Sequence, residues 1–276
     1  MMTLSCDHTA NIRTLIQSEP ITIASWNMKN FGLSKLSDST RLIPIVEILQ
    51  KYDLIALQEI KDKSFILIDS LLVHMDAGGK DYSAISSLRL GRGTVEQYVF
   101  IYDVAKIIPD MYSIGYGHEP NNVFARPPFY LKFTAGNFDF YLMTIHTDPD
   151  EVDTEIPALV HAYNKLQDET PDEDDIIVLG DFNGKSPGTL AGSYCTMTEF
   201  SNMPGIVFAI NEETNTKGGR AYDNIIYNEN YTSEATQADG VDVFWESYGL
   251  TVDEAFRISD HKPVWATFRT DIKDDD

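Results

Sequence analysis

The chain has 276 residues, 43 acidic against 21 basic, a net charge of −22 and two cysteines. That length can bury a sizeable core without cross-links; Cys6 and Cys195 make neither a disulfide framework nor a zinc pattern, and the acid excess argues against a broadly basic polyanion-binding surface while leaving a local cleft open. No apolar stretch is long enough to span a bilayer and MMTLSCDHTA lacks the layout of a secretory signal, so the sequence as written predicts a soluble, cytoplasmic monomer, secreted only if a signal had been trimmed.

Residues 1–19 read as a loosely held lead-in and 271–276 as an acidic tail, around a single domain over 20–270 that no repeat or linker divides. The run ITIASW predicts a buried strand stopping at Asn27. Ser39-Thr40 then caps a helix with Leu42, Ile43, Val46 and Leu49 on one face, Pro44 falling in its first turn. A strand from Asp53 to Leu57 leads to Glu59, residues 64–75 read as a second amphipathic helix, and 97–108 as two short strands broken around Asp103. Strands at 129–133 and 138–145, joined through Thr134-Ala135-Gly136-Asn137, end at His146. A helix from about Glu155 to Gln167 precedes a strand at 176–180 that ends at Asp181; Asp223 opens NIIY, and Ser259-Asp260-His261 sits ahead of PVWATF. Strands joined both by hairpins and by helices predict mixed sheets covered by helices, an α/β layered sandwich.

The polar residues at these strand edges are carboxylates, carboxamides and imidazoles. Such a set binds a hard divalent cation through oxygen and moves protons with histidine. Asp181 and Asn183, two apart in an extended backbone, can share a face and grip a phosphate oxygen together; a turn in which both merely bond nearby backbone is the competing reading. Glu59 is a candidate magnesium ligand or else a solvated loop acid, and Asn27 has the same ambiguity. His146 and His261 lie among acids, where carboxylates raise an imidazole's pKa and fix its tautomer. His8, His74, His118 and His161 read as surface groups.

Trp26-Asn27-Met28-Lys29-Asn30-Phe31-Gly32, Leu57-Gln58-Glu59-Ile60, Ile145-His146-Thr147, Leu179-Gly180-Asp181-Phe182-Asn183, Ala221-Tyr222-Asp223-Asn224 and Ile258-Ser259-Asp260-His261-Lys262-Pro263-Val264 together resemble, in order and spacing, the endonuclease/exonuclease/phosphatase superfamily and, within it, deoxyribonuclease I-like nucleases. The resemblance implies a four-layer α-β-β-α sandwich of two packed mixed sheets flanked by helices. It implies a Mg²⁺-dependent endonuclease, with Mn²⁺ or Ca²⁺ as substitutes, that cuts DNA with little sequence preference and leaves 5′-phosphate ends.

By that resemblance Glu59 holds the cation with Asn27 and Asp260 nearby, and Asp181 and Asn183 orient water and phosphate. His146 pairs with Glu96 and His261 with Asp223, one imidazole taking a proton from water and the other protonating the leaving 3′ oxygen. Arg126 grips phosphate, and Lys61 and Arg92 face the groove. The chain departs from the pattern at Thr94, where the nuclease carries a groove-stacking aromatic, and at Ser186 and Arg220, where it carries a cysteine pair; loss of that bridge suits a reducing compartment. A lipid or small-phosphoester hydrolase of the same superfamily is the alternative, and a binding protein on a retired scaffold is a third.

Overall fold

Each short apolar run of the sequence becomes a strand of one of two sheets in the computed structural model, which describes residues 19–63, 66–117, 121–184 and 197–274. The lead-in over 1–18, Cys6, Cys195, Ser186, His8, His118 and the last two residues of the acidic tail lie outside the described residues. In the first half of the chain the elements are β1 Ile21–Phe31, α1 Leu33–Leu36, α2 Ser39–Leu49, β2 Leu54–Ile60, α3 Ile66–Asp76, β3 Tyr82–Ser86, β4 Gln97–Asp103, β5 Ile108–Tyr116 and β6 Phe129–Ala135. There follow β7 Phe138–His146, α4 Val152–Glu169, β8 Ile176–Asp181, α5 Thr198–Ser201, β9 Ile206–Phe208, β10 Asp223–Asn228, β11 Ala235–Val241, α6 Phe244–Tyr248, α7 Val252–Ile258 and β12 Val264–Phe268.

The strands form two six-stranded sheets, ordered β11-β12-β1-β2-β4-β3 and β5-β6-β7-β8-β10-β9. Each contains one parallel pair, β1 with β2 and β7 with β8. A parallel pair needs a crossover connection, which α1 and α2 provide in one sheet and α4 in the other. Alternation along β6 sends Phe129, Leu131 and Phe133 inward, where they meet Phe100, Phe138 and Phe140 between the sheets. The outer face of the first sheet buries Trp26, Leu57 and Val99 against Ile45, Leu71 and Ile258, and that of the second buries Met143 and Val178 against Ile156, Leu159 and Phe200. The result is the four-layer α-β-β-α sandwich.

Several boundaries differ from the sequence reading for identifiable reasons. β1 does not stop at Asn27 but continues through a register shift to Phe31. Asp38, not Ser39-Thr40, caps α2, its Oδ1 accepting from Thr40 N at 3.0 Å. Leu42, Ile45, Ile48 and Leu49 form the buried face of α2, whereas Ile43 is 57% exposed; the stripe follows one-turn spacing rather than the adjacent pair. The expected break falls at Asp103, whose Oδ1 closes a turn onto Ala105 N, but the next strand starts only at Ile108 and in the other sheet. His74 and His161 are exposed.

Candidate active site

Register alone brings three of the predicted residues to one edge of the second sheet. His146, the last residue of β7, is the parallel partner of Asp181, the last of β8. Asp223, the first residue of β10, is the antiparallel partner of the same aspartate. Gly180 permits this approach: its φ is +145° and a Cβ there would lie 2.0 Å from the Ile145 carbonyl oxygen.

The first sheet faces them with Asn27, Glu59, Glu96 and His261. Here the backbone leaves regular pairing, with φ of 44° at Lys29, 53° at Asn30 and 60° at Glu59, conformations that cost about 1–3 kcal/mol each and need local compensation. Lys29 N donates to Asn27 Oδ1 at 2.9 Å and Asn30 N to Glu59 Oε2 at 2.8 Å. Asn27 Nδ2 in turn donates to Asp181 Oδ2 at 2.9 Å and to Glu59 Oε1 at 3.2 Å. Asn27 therefore shows the cleft its amide hydrogens, its oxygen being engaged behind. Asp260 is partly buried, with Lys29 Nζ 3.8 Å from its Oδ2.

Each histidine is held from behind by a buried carboxylate. His146 Nδ1 lies 2.6 Å from Glu96 Oε1, and His261 Nδ1 lies 2.8 Å from Asp223 Oδ2. Both Nε2 atoms stand 3.6 Å from Asp181 Oδ2. Asn183 N donates to Asp181 Oδ1 at 3.0 Å and Asn183 Nδ2 to the Thr147 carbonyl at 3.0 Å, so the turn and its proximity to Asp181 coexist.

Electrostatics separates the two pairs. Burial pushes the Glu96 carboxyl up, but the hydrogen bond and charge of His146, with Arg126 and Lys61 alongside, hold it at about 2. Burial lowers the His146 imidazole and the hydrogen bond to Glu96 with the charge of Asp181 more than offsets that, so it is raised. His261 is raised as well, burial being outweighed by Asp223 and Asp181. Asp223 rises because burial outweighs the pull of His261, and with the His261 imidazole raised to about 10 the pair holds a proton at neutral pH.

The basic residues are less exposed to the cleft than their sequence context suggests. Arg126 is 5% exposed and donates to the His146 and Thr147 carbonyls, both at 2.9 Å, with Nε 3.3 Å from Glu96 Oε1. Lys61 Nζ donates to Glu96 Oε2 at 2.8 Å. Arg92 is exposed and pairs with Glu151 at 2.5 Å while also bonding the Asn122 and Val123 carbonyls. Glu59, Lys61, Thr94, Glu96, Arg126 and His146 line a common open cleft of roughly 390 Å³.

Two supporting side chains escaped the sequence reading. Thr214 Oγ1 donates to Asp223 Oδ2 at 2.6 Å, and Tyr98 OH accepts from His146 N at 3.0 Å. Nothing local marks them; one lies in a loop and the other inside a uniformly buried strand. Asp181, Asp223 and His261 also place donor atoms within 4.8 Å of one another, a buried group that could hold a metal ion.

Against known proteins, the profile of the endonuclease/exonuclease/phosphatase family matches residues 24–261. The chain belongs to that family. It is 31% identical to mouse deoxyribonuclease gamma over 263 residues, covering 88% of this chain and 82% of that one. To deoxyribonuclease-1 of Oryctolagus cuniculus it is 30% identical over 263 residues, 89% and 91% of the two chains. Among solved structures it resembles a Neisseria 3′ phosphatase bound to product DNA hairpin, with TM-score 0.61 and 16% identity over 90% of this chain and 99% of that one. A mannosyl-6-phosphatase of Bacteroides thetaiotaomicron aligns with TM-score 0.59 and 15% identity over 89% and 98%. These last two likenesses concern the fold. As a family member the chain is a phosphoester hydrolase by kind, and among the described residues no helix is long and apolar enough to cross a membrane.

Proposed function

We propose that this chain is a divalent-metal-dependent endonuclease that hydrolyses phosphodiester bonds of DNA with little sequence preference and leaves 5′-phosphate ends. The observation that carries the reading is the pair of imidazole Nε2 atoms, each backed by a buried carboxylate, standing 3.6 Å from one oxygen of Asp181. The curated relatives named deoxyribonuclease support DNA over other phosphodiesters.

The donor set fits a hard cation that takes one or two carboxylates and keeps waters: Glu59 is partly exposed at the cleft, and Asp260 is partly buried on the segment that leads to His261. When bound, such an ion supplies positive charge to a phosphoryl oxygen. Glu59 would hold it, with Asp260 alongside and Asn27 orienting the Glu59 carboxylate. Occupancy of the Asp181, Asp223 and His261 group by a cation competes with the proton that its neighbours hold on His261.

The scissile phosphate sits against Asp181 and Asn183. One imidazole, neutral at Nε2, takes a proton from the attacking water; the other, protonated there, gives its proton to the leaving 3′ oxygen as the old P–O bond breaks and the new one forms. Glu96 and Asp223 hold the Nδ1 protons and so keep both Nε2 atoms aimed at the reacting centre. Lys61 and Arg126 form the basic side of the cleft, Arg126 chiefly by bracing Glu96 and the end of β7, while Arg92, paired with Glu151, is a groove contact beyond that wall.

Thr94 on the cleft wall favours one second reading, a hydrolase of lipid or small phosphoesters, since no aromatic platform stands there for a duplex. A single metal-loaded preparation assayed on duplex DNA, single strands, RNA, abasic DNA, sphingomyelin and inositol phosphates tests both. Plasmid nicking that chelation abolishes is expected; turnover confined to small phosphoesters or lipid would move the chain to the second reading.

A further inference from the structure

Lys35 is only 5% exposed, yet no carboxylate reaches its ammonium among the described residues. Its Nζ donates instead to three backbone carbonyls, Met28 at 2.8 Å, Lys29 at 2.6 Å and Ile258 at 2.5 Å. An ammonium has three donors, and all are satisfied. Two acceptors belong to the left-handed bend of β1, whose Asn30 N–H holds Glu59 and whose Asn27 holds both Glu59 and Asp181. The third is the last residue of α7, immediately ahead of Ser259, Asp260 and His261.

The chain geometry makes this reach possible. Gly32 follows the end of β1, and the short helix α1 turns Lys35 back beneath the bend that β1 has just left. The C-terminal carbonyls of a helix carry partial negative charge, so a cation is favoured against them. Lys29 reinforces the same junction, its Nζ donating to the Phe256 carbonyl at 3.0 Å. Ser259 Oγ donates to the Asn27 carbonyl at 2.6 Å and accepts from His261 N at 3.0 Å. Burial pushes the Lys35 ammonium down to about 8, which leaves it mostly charged at neutral pH.

We propose that Lys35 is a positioning residue of the active site: its ammonium bolts the β1 bend, which sets Glu59 and Asn27, to the end of α7, which sets Asp260 and His261. The two sides of the cation position are thereby held at a fixed separation by one buried charge that touches neither substrate nor ion. Loss of the ammonium lets the Asp260-His261 turn drift from Glu59 while both sheets stay packed. The inference rests on the phosphodiesterase reading above.

The experiment compares wild type, Lys35→Met and Lys35→Ala by near-UV circular dichroism, by calorimetric Mn²⁺ binding without substrate, and by plasmid nicking across a Mg²⁺ titration. Lys35→Met is expected to keep the fold, to bind Mn²⁺ about 10-fold more weakly and to lose about 10- to 100-fold in kcat, the range for removing support behind a metal site, with KM for DNA little changed. n-Butylammonium is expected to restore part of the Mn²⁺ affinity of Lys35→Ala, and n-butanol is not. A folded Lys35→Met that binds Mn²⁺ within about twofold of wild type overturns the inference, as does failure of both variants to fold even with butylammonium, which would make Lys35 a folding determinant instead. Wild type that binds Mn²⁺ but cuts no phosphodiester would sink the functional reading alone, the binding comparison still deciding Lys35.

Discussion

His146 and His261 meet at one atom: His146 closes a strand of the second sheet, His261 precedes a strand of the first, and both Nε2 atoms lie 3.6 Å from Asp181 Oδ2. Two sheets that pack through phenylalanines at their centre thus join through polar chemistry at one rim. Asn27 completes the junction by donating to the same oxygen at 2.9 Å.

Glu59→Gln keeps the shape of the side chain and removes its charge. If Glu59 carries the cation, the Mg²⁺ concentration for half-maximal nicking rises by about 10-fold or more, while stability without metal falls by about 1–3 kcal/mol, because the amide nitrogen faces one of the two donors, Asn27 Nδ2 or Asn30 N, that the carboxylate satisfies. A Mg²⁺ titration of both proteins checks it, and an unchanged midpoint would remove Glu59 from the metal site.

Arg126 is spent on two carbonyls and on Glu96, so its loss acts through geometry more than through substrate affinity. Arg126→Gln is expected to lower kcat more than it raises KM for DNA, and to cost about 1–3 kcal/mol in urea unfolding because buried acceptors are left unpaired. A change confined to KM would instead make Arg126 a phosphate contact.

Glu96 gives acid lability with a defined sign. Its carboxyl is held at about 2 in the folded chain, below its unfolded value near 4.3. The folded state favours the ionised form, so this stabilisation is fully present above the unfolded pKa and is lost as pH falls through about 2. Chemical denaturation of wild type and Glu96→Gln from pH 7 to pH 2 should show a stability difference that shrinks on the acid side; a difference independent of pH would contradict the assignment.

Asp175, the residue just ahead of β8 and at the opposite end of that strand from Asp181, has the reverse sign. Burial, with Glu234 and Glu173 adding their charges, pushes its carboxyl up to about 9. The folded state there holds a proton that the unfolded chain releases near pH 4, so the penalty grows as pH rises from about 4 and levels off above about 9. Asp175→Asn is expected to stabilise the fold more at pH 8 than at pH 4, the difference growing steadily across that range. Equal effects at the two pH values would show that the group does not titrate in this range.

The sequence revealed most where a buried strand ends at a polar residue, because such a run has few alternative structures. His146, Asp181 and Asp223 come together through strand register, and each lay at the edge of a legible run. The bend at Lys29 and Asn30 was not legible, since no glycine announces its positive φ and side-chain hydrogen bonds to Asn27 and Glu59 impose it. β5 and β11, edge strands without a fully buried residue, lack the alternation that marks a half-buried one. Arg126 carries no sequence sign that its guanidinium turns inward, because carbonyl acceptors leave no pattern in side-chain types.

The central claim is that the two carboxylate-backed imidazoles and Asp181 work as one unit on a phosphodiester, and a double-mutant cycle on His146→Ala and His261→Ala tests it most directly. With saturating Mg²⁺ and circular dichroism unchanged, each single variant should lose about 100- to 10,000-fold in the rate of plasmid nicking, and the double variant little more than the worse single one. Losses that multiply independently, or a single variant that still nicks at the wild-type rate, would contradict the account.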